Sequence, residues 1–262
     1  MMNLKELVEH VINITKDVGE FIKIESKKFT KDKIEHKGYN DLVSYVDKEA
    51  ERILIQELQS ILPESGFIAE EGTSTKKGNT YNWIIDPLDG TTNFSHGLPI
   101  YSISIALMKA GNIVLGVVYE INKDECFHAV ENDHAYCNGE IINVSNVQQL
   151  NGSLLATGFP YSSFEKMDTY LNILNEFMQK THGLRRMGSA AVDLAYVACG
   201  RFEGFFEYNL NAWDVAAGAF IIQRAGGTIS DFHGGDNYLF GREILAAGPI
   251  HKEMLTVIQS KW

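Results

Sequence analysis

Two stretches near the start of the chain carry apolar residues at helical spacing. In the first, the apolar positions are Leu4, Leu7, Val8, Val11, Val18 and Ile22. This repeat predicts an amphipathic helix over the first twenty-odd residues. In the second, they are Val43, Val46, Ala50, Ile53, Leu54, Leu58, Ile61 and Leu62. This repeat predicts a long helix that ends at Pro63. The charged segment between the two, from Lys27 to Lys37, indicates an exposed loop or hairpin.

Short apolar runs dominate the rest of the chain and predict strands. Two of them end near Glu70 and Asp86, and two more, over residues 100–109 and 113–120, flank a hairpin turn. Other strands are expected at 126–130, 141–144, 154–157, 184–187, 202–208, 228–231 and 244–247. In the second half they alternate with helices at 164–179, at 189–199, around Asp214 and from 251 onward. No linker separates the halves, so we predict an α+β fold with two sheets layered between helices.

Two carboxylates follow one predicted strand in the segment 83–94, which reads WIIDPLDGTTNF. Pro87 lacks an N–H and is expected to end the strand and turn the chain, so that Asp86 and Asp89 approach one point. Gly90 allows close backbone approach, and Thr91 begins a helix, where free N–H groups attract phosphate. Asp-Pro-x-Asp-Gly alone is also common turn chemistry. Hard oxygen ligands beside an anion cradle nevertheless predict a Mg²⁺-phosphate site.

Two further acidic segments strengthen this interpretation. Glu70 and Glu71 end a short apolar run, although alone they are typical of a solvated loop. Asp214 begins a helix of small residues, the segment AWDVAAGAFII, which ends before paired glycines. An acid there can simply complement the helix dipole. Small residues permit close packing, however, so this helix should be deeply buried, and an acid at its mouth is costly unless it is paired or bound to a metal.

The three segments together resemble the motifs of the inositol monophosphatase family, which belongs to a superfamily of Mg²⁺-dependent, lithium-sensitive phosphatases. Their order and spacing and the chain length all agree, so the resemblance covers essentially the whole chain. It implies an alternating αβαβα layered sandwich, as in inositol monophosphatase and fructose-bisphosphatase. It further implies one compact unit with an N-terminal α+β lobe (residues 1–145), a C-terminal α/β lobe (residues 146–262), and a homodimer.

The resemblance also implies a ligand set for two or three Mg²⁺ ions. Asp86 would bridge two of them, and a third, weaker ion would lie near Glu70. The implied metal ligands are Glu70, Asp86, the carbonyl oxygen of Leu88, Asp89 and Asp214. Most of them belong to the N-terminal lobe, whereas Asp214 and the substrate contacts belong to the C-terminal lobe.

Catalytic residues implied by the resemblance are Thr91, Asp47 and Glu70, with Thr91 and Asp47 as the pair that activates water. The amides of Gly90 and Thr91 would bind phosphate. For Asp47 an alternative stays open, because a helix acid can be solvated and paired with a neighbour such as Arg52. Lys37 lies either near the metals or on the plain surface.

Substrate contacts are implied at Ala190, where backbone at a helix start would bind the leaving alcohol, and at Glu207. Glu207 stands seven residues before Asp214 and would accept hydrogen bonds from sugar or inositol hydroxyls. The alternative is that Glu207 is an ordinary acid on an edge strand. Asp193 replaces an Asn found in some relatives, which changes the polarity of the expected pocket.

Charge and composition argue for some kinds of binding partner and against others. The 262 residues carry 34 acids against 23 bases, a net charge of −11, which argues against a nucleic-acid or membrane surface. Bound cations would reconcile this acidity with an anionic substrate. Three scattered cysteines are typical of reduced thiols in the cytoplasm. The charged, amphipathic first residues are not expected to form a signal peptide, and no apolar run approaches membrane length. We therefore expect a cytoplasmic protein with a small-molecule substrate.

The leading functional hypothesis is Mg²⁺-dependent hydrolysis of inositol monophosphate to inositol and phosphate. Related enzymes of the fold hydrolyse NADP(H) or fructose 1,6-bisphosphate, and their metal motifs are too similar to choose among these substrates. A remote alternative is a non-catalytic phospholigand-binding or RNA-associated regulator. The intact acidic set and the absence of a basic stripe disfavour that alternative.

Overall fold

The computed structural model describes residues 3–30, 34–38, 41–160 and 164–262. In these ranges the helices are α1 (Leu4–Ser26), α2 (Tyr45–Ile61), α3 (Thr91–Ser95), α4 (Met167–Lys180), α5 (Ala190–Ala198), α6 (Ala212–Arg224) and α7 (His251–Gln259). The strands are β1 (Ile34–Gly38), β2 (Asp41–Ser44), β3 (Gly66–Ala69), β4 (Tyr81–Asp89), β5 (Ser102–Lys109), β6 (Asn112–Glu120), β7 (Glu125–Val130), β8 (Ala135–Cys137), β9 (Glu140–Ile142), β10 (Leu154–Thr157), β11 (Gly183–Arg185), β12 (Gly204–Tyr208), β13 (Thr228–Ser230) and β14 (Glu243–Ala247).

Two large sheets organise these elements. The first has the order β3-β4-β5-β6-β7-β8-β9 and is antiparallel except for the parallel pair β3–β4. The second has the order β11-β10-β12-β14-β13, with β10 parallel to both of its neighbours and β14 antiparallel to both of its own. A separate antiparallel pair, β1–β2, precedes α2. Its first strand begins within the charged segment 27–37, and its second strand lies beyond that segment.

Alternation of apolar side chains along the strands produces the layers. On β4, Trp83 and Ile85 pack with α1 and α2, whereas Ile84 packs with α5 and α6. On β12, Phe205 belongs to the layer of α5 and α6, and Phe206 packs with α4 and α7. A sheet with two apolar faces is buried on both sides. The αβαβα sandwich implied by the family resemblance is therefore confirmed.

The central helices α5 and α6 are buried nearly all round. Every residue of α5 is buried, and α6 approaches it so closely that a Cβ added at Gly218 would lie 2.5 Å from the Cβ of Leu194. Small side chains allow this approach, as predicted for the helix that carries Asp214. The start of α6 is thereby held at a fixed place between the two sheets.

Two predictions about element ends are wrong. The second helix begins at Tyr45, because Ser44 caps it, and Val43 lies on β2. Pro87 does not end its strand: β4 continues to Asp89, and Pro87 and Leu88 together oppose the single residue between Ser102 and Ser104 of β5. This is a β-bulge, where a proline without an N–H leaves no ladder hydrogen bond unmade.

The division into lobes at residues 145 and 146 stays a prediction. Lys37 lies on β1, but its side chain falls outside the described part of the chain. Among the described residues, no helix is both long and apolar enough to cross a membrane.

Candidate active site

A cleft of about 270 Å³ collects nearly every residue singled out from the sequence. Predicted site residues that line it are Glu70, Asp86, Leu88, Asp89, Gly90, Thr91, Ala190, Glu207 and Asp214. Asp47 is not part of the lining, but it hydrogen-bonds to Thr91. Residues more than a hundred positions apart in the chain thus converge on one cavity.

Three carboxylates form the centre of the cleft. Asp86, Asp89 and Asp214 each offer one oxygen, and these oxygens all lie within 4.8 Å of one another. In a regular strand, residues three apart point to opposite faces. The bulge in β4 adds one residue between Asp86 and Asp89 and so returns both side chains to the same face. This bulge, rather than the end of a strand, brings the two acids together.

The third acid is fixed by the start of α6. Asp214 is the third residue of that helix, and its Oδ2 accepts the Asn211 N–H at 2.6 Å in a reciprocal capping box. Glu70 follows β3 and lines the same cleft. Its backbone N–H donates to the carbonyl oxygen of Ile85 at 3.2 Å, beside Asp86.

Burial dominates the electrostatics of the cluster, and crowding of negative charge adds to it. Burial, followed by the charges of Glu70, Asp89 and Asp214, raises the pKa of Asp86 well above its usual range. Burial and the nearby Asp89 do the same to the pKa of Asp214. Burial also raises the pKa of Asp89 to about 6, against opposing hydrogen bonds. Hard oxygen donors that repel one another in a buried place suit Mg²⁺, which would relieve the repulsion.

Asp89 is oriented by the start of α5. Its Oδ2 accepts hydrogen bonds from the Ser189 hydroxyl and from the Ala191 N–H, both at 2.7 Å. The family resemblance implied that backbone at this helix start binds the leaving alcohol. Two hydrogen-bond donors of this helix start, the Ser189 hydroxyl and the Ala191 N–H, instead hold the carboxylate of Asp89. Ala190 lies between them in the chain and lines the cleft. The substrate role of Ala190 stays a prediction.

Asp47 and Thr91 form a second polar unit beside the acidic cluster. The Thr91 hydroxyl lies 2.7 Å from Asp47 Oδ1 and 3.1 Å from the Leu88 carbonyl oxygen. Asp47 Oδ2 accepts from the N–H and the hydroxyl of Ser44, at 2.9 and 2.6 Å. Burial raises the pKa of Asp47, against these hydrogen bonds.

The alternative reading of Asp47 as a solvated helix acid is wrong. Its exposed fraction is 0%, and Arg52 pairs with Glu49 at 2.7 Å.

Glu207 is a buried acid on an interior strand, so the edge-strand alternative is also wrong. β12 lies between β10 and β14, and Glu207 is 7% exposed. Burial raises its pKa to about 8, although the nearby Arg186 opposes this. A Cβ added at Gly158 would lie 2.0 Å from Glu207 Oε2, so the Gly158 backbone packs directly on the carboxyl group. Asp193, whose pKa burial raises well above its usual range, lines the same part of the cleft.

Three residues with contacts in or near the site were missed in the sequence. Arg186 lines the cleft, and a basic pair just before a glycine turn in an acidic chain was the available signal. Ser189 was detectable as the N-cap of α5, where it also accepts the Val192 N–H. Glu51 stands four residues after Asp47 on the same face of α2 and contacts the loop after Glu70. Helical spacing alone indicated which face of α2 carries Glu51, but not which residues Glu51 contacts.

Fold and cleft together define a phosphatase fold with a cluster of three carboxylates that could hold a cation, and similarity to known proteins agrees with this. The chain belongs to the inositol monophosphatase family, whose sequence profile matches residues 3–261. It is 45% identical over 230 residues to the putative Nus factor SuhB of Neisseria meningitidis serogroup B, covering 87% of this chain and 88% of that one.

Solved structures give the same result. The extragenic suppressor protein suhB of Bartonella henselae has a TM-score of 0.93 at 35% identity, covering 98% of this chain and 100% of its own. An IMPase from Thermotoga maritima has a TM-score of 0.89 at 35% identity, covering 97% of each chain. The family expected from the sequence is confirmed.

Proposed function

We propose that this protein is a Mg²⁺-dependent phosphomonoesterase that hydrolyses inositol monophosphate to inositol and phosphate. The observation that carries the proposal is the convergence of Asp86, Asp89 and Asp214 within 4.8 Å. With Glu70 and the Leu88 carbonyl oxygen, they would hold two Mg²⁺ ions, and a third near Glu70. When bound, Mg²⁺ supplies a Lewis acid for phosphoryl oxygens and lowers the pKa of a coordinated water.

The chain's own residues would bind the phosphate and move one proton. The amides of Gly90 and Thr91, at the start of α3, have no acceptor within the helix and are suited to phosphate oxygens. The Thr91 hydroxyl has one proton, which it donates to Asp47 Oδ1. Its own oxygen is then free to accept a proton from water, and Asp47 receives the displaced proton through Thr91.

The leaving alcohol would lie against Ala190 and Glu207. Burial raises the pKa of Glu207 to about 8 in the cation-free protein. Its carboxyl group can accept hydrogen bonds from substrate hydroxyls and, where it keeps its proton, can also donate one. A polyol such as inositol offers matching groups. NADP(H) and fructose 1,6-bisphosphate also carry hydroxyls and stay alternative substrates for the same site.

The test is phosphate release from a panel of inositol monophosphate, NADP, fructose 1,6-bisphosphate and a simple aryl phosphate, each with and without Mg²⁺. We expect release only with Mg²⁺ and the highest kcat/KM for inositol monophosphate. A higher value for NADP or the bisphosphate would select that alternative. No release from any substrate would overturn the phosphatase assignment.

A second candidate is a transcription-associated role, supported by the Nus factor name of a relative that is 45% identical. That name speaks against the expectation that the chain has no nucleic-acid partner. Transcription through a terminator in vitro, with wild type and Asp86→Asn, tests both the role and its independence from the cleft. No effect of either protein on termination would refute it. Lithium sensitivity and a homodimer are proposed from family membership, and sedimentation tests the dimer. A cytoplasmic location is proposed from the three scattered cysteines.

A further inference from the structure

Glu51 is a buried carboxylate that the proposed reaction does not use. It follows Asp47 by one turn of α2, and both are 0% exposed. Its Oε2 accepts the Glu71 N–H at 2.7 Å, and its Oε1 accepts the Thr73 N–H at 2.8 Å and the Thr73 hydroxyl. All three donors belong to the loop that begins at Glu70.

These contacts satisfy a group that is otherwise costly to bury. A buried carboxylate needs a cation or several hydrogen bonds, and within the described part of the chain no ion pair includes Glu51. The loop of Glu71 and Thr73 therefore supplies the hydrogen-bond donors that the buried carboxylate requires. In return, the carboxylate holds two N–H groups of that loop, those of Glu71 and Thr73, in a single arrangement.

The residue held between these contacts is Glu70. Its own N–H donates to the Ile85 carbonyl oxygen at 3.2 Å, and the next N–H, that of Glu71, donates to Glu51. The Glu70 backbone is thus tied to β4 on one side and to α2 on the other. Ile85 directly precedes Asp86, so the first tie also sets the register between the two acids.

We propose that Glu51 is a positioning residue for the cation site: it holds the 70–73 loop so that Glu70 faces Asp86. This inference rests on the proposed function, because it takes Glu70 as a cation ligand. One face of α2 then serves both parts of the site, with Asp47 at the Thr91 hydroxyl and Glu51 at the Glu70 loop. Groups that orient metal ligands typically change metal affinity by about 10–100-fold.

The test measures Mg²⁺ binding by calorimetry without substrate, together with amide hydrogen exchange of Glu71 and Thr73 in EDTA. In Glu51→Gln, one side-chain acceptor becomes a donor that faces an N–H. We expect about tenfold weaker Mg²⁺ binding and faster exchange at both amides. Thr73→Val removes only the hydroxyl donor of an exposed residue and should weaken binding in the same direction by less. The matched control, Glu57→Gln, changes an exposed acid of the same helix and should match wild type.

If Glu51→Gln binds Mg²⁺ with the same affinity as the control Glu57→Gln, the inference is overturned, even if Glu51→Gln is less stable. If that variant does not fold, Thr73→Val decides alone, and unchanged affinity there overturns it. Wild type that binds no Mg²⁺ also overturns it. If Mg²⁺ binding weakens in Glu51→Gln as expected but wild type releases phosphate from no substrate, the proposed function is refuted and the positioning role of Glu51 is supported.

Discussion

Replacing Glu207 by Gln should change how the stability of the protein depends on pH. Burial raises the folded-state pKa of Glu207 to about 8 from an ordinary value of 4.5. Between these values the folded protein keeps the proton and the unfolded chain releases it. The folded state therefore binds more protons, and the free energy of unfolding of wild type falls as pH rises through this window. Glutamine does not titrate, so the variant lacks this contribution.

The size of the effect follows from the width of the window. One unit of pKa difference corresponds to about 1.4 kcal/mol, so the whole window is worth at most about 5 kcal/mol. Over the interval from about pH 5.5 to about pH 7, the stability of wild type relative to the variant should fall by about 2 kcal/mol. Other buried acids of the cleft titrate in both proteins and largely cancel in the difference.

Urea unfolding in EDTA measures this difference, because a bound cation would otherwise lower the pKa values of the cleft. The control is Glu140→Gln, an exposed acid on β9, which should run parallel to wild type. Stability curves of Glu207→Gln and wild type that stay parallel across the interval would refute the raised pKa. The same result would also refute the proposal that Glu207 presents a protonated carboxyl group to the leaving alcohol.

Three further predictions concern other parts of the cleft. Asp214→Asn should weaken Mg²⁺ binding, because one ligand charge is lost; a Mg²⁺ titration that superimposes on wild type would reduce Asp214 to a helix-capping acid. Thr91→Ala should lower kcat by about 10²–10⁴-fold with little change in KM, because water loses its path to Asp47; a normal kcat would refute that path. Gly158→Ala would push a Cβ into Glu207 and should lower kcat/KM for inositol monophosphate but spare a simple aryl phosphate; equal losses would show damage to the cation site.

Apolar periodicity predicted two sheets between helices, but the αβαβα order of the layers came from the family resemblance, and the bulge was not predicted. Apolar residues on both faces of β4 and β12 predict sheets buried between helices, and the structure has them. That Pro87 would interrupt regular pairing was also predictable. Whether it ends the strand or sits in a bulge depends on pairing with β5, a contact between distant parts of the chain that no local pattern encodes.

Acidic residues of the cleft were identifiable because their motifs are contiguous. The residues that orient them were harder to find, since their role depends on tertiary contacts. Ser189 and Asp89 are a hundred positions apart and meet only in the fold. Glu51 resembles any other glutamate of an amphipathic helix until its burial is known.

Phosphate release by Asp86→Asn tests the central claim most directly. The Leu88 N–H donates to Asp86 Oδ1 at 3.0 Å, and the oxygen of Asn can accept the same bond, so the bulge should persist. At saturating Mg²⁺ we expect wild type and the exposed-site control Asp168→Asn to release phosphate from inositol monophosphate at equal rates. Asp86→Asn should lose at least ~10²–10³-fold in kcat, with an unchanged circular dichroism spectrum. A folded Asp86→Asn protein with near-normal turnover would contradict the assignment of this cleft as a two-cation phosphatase site.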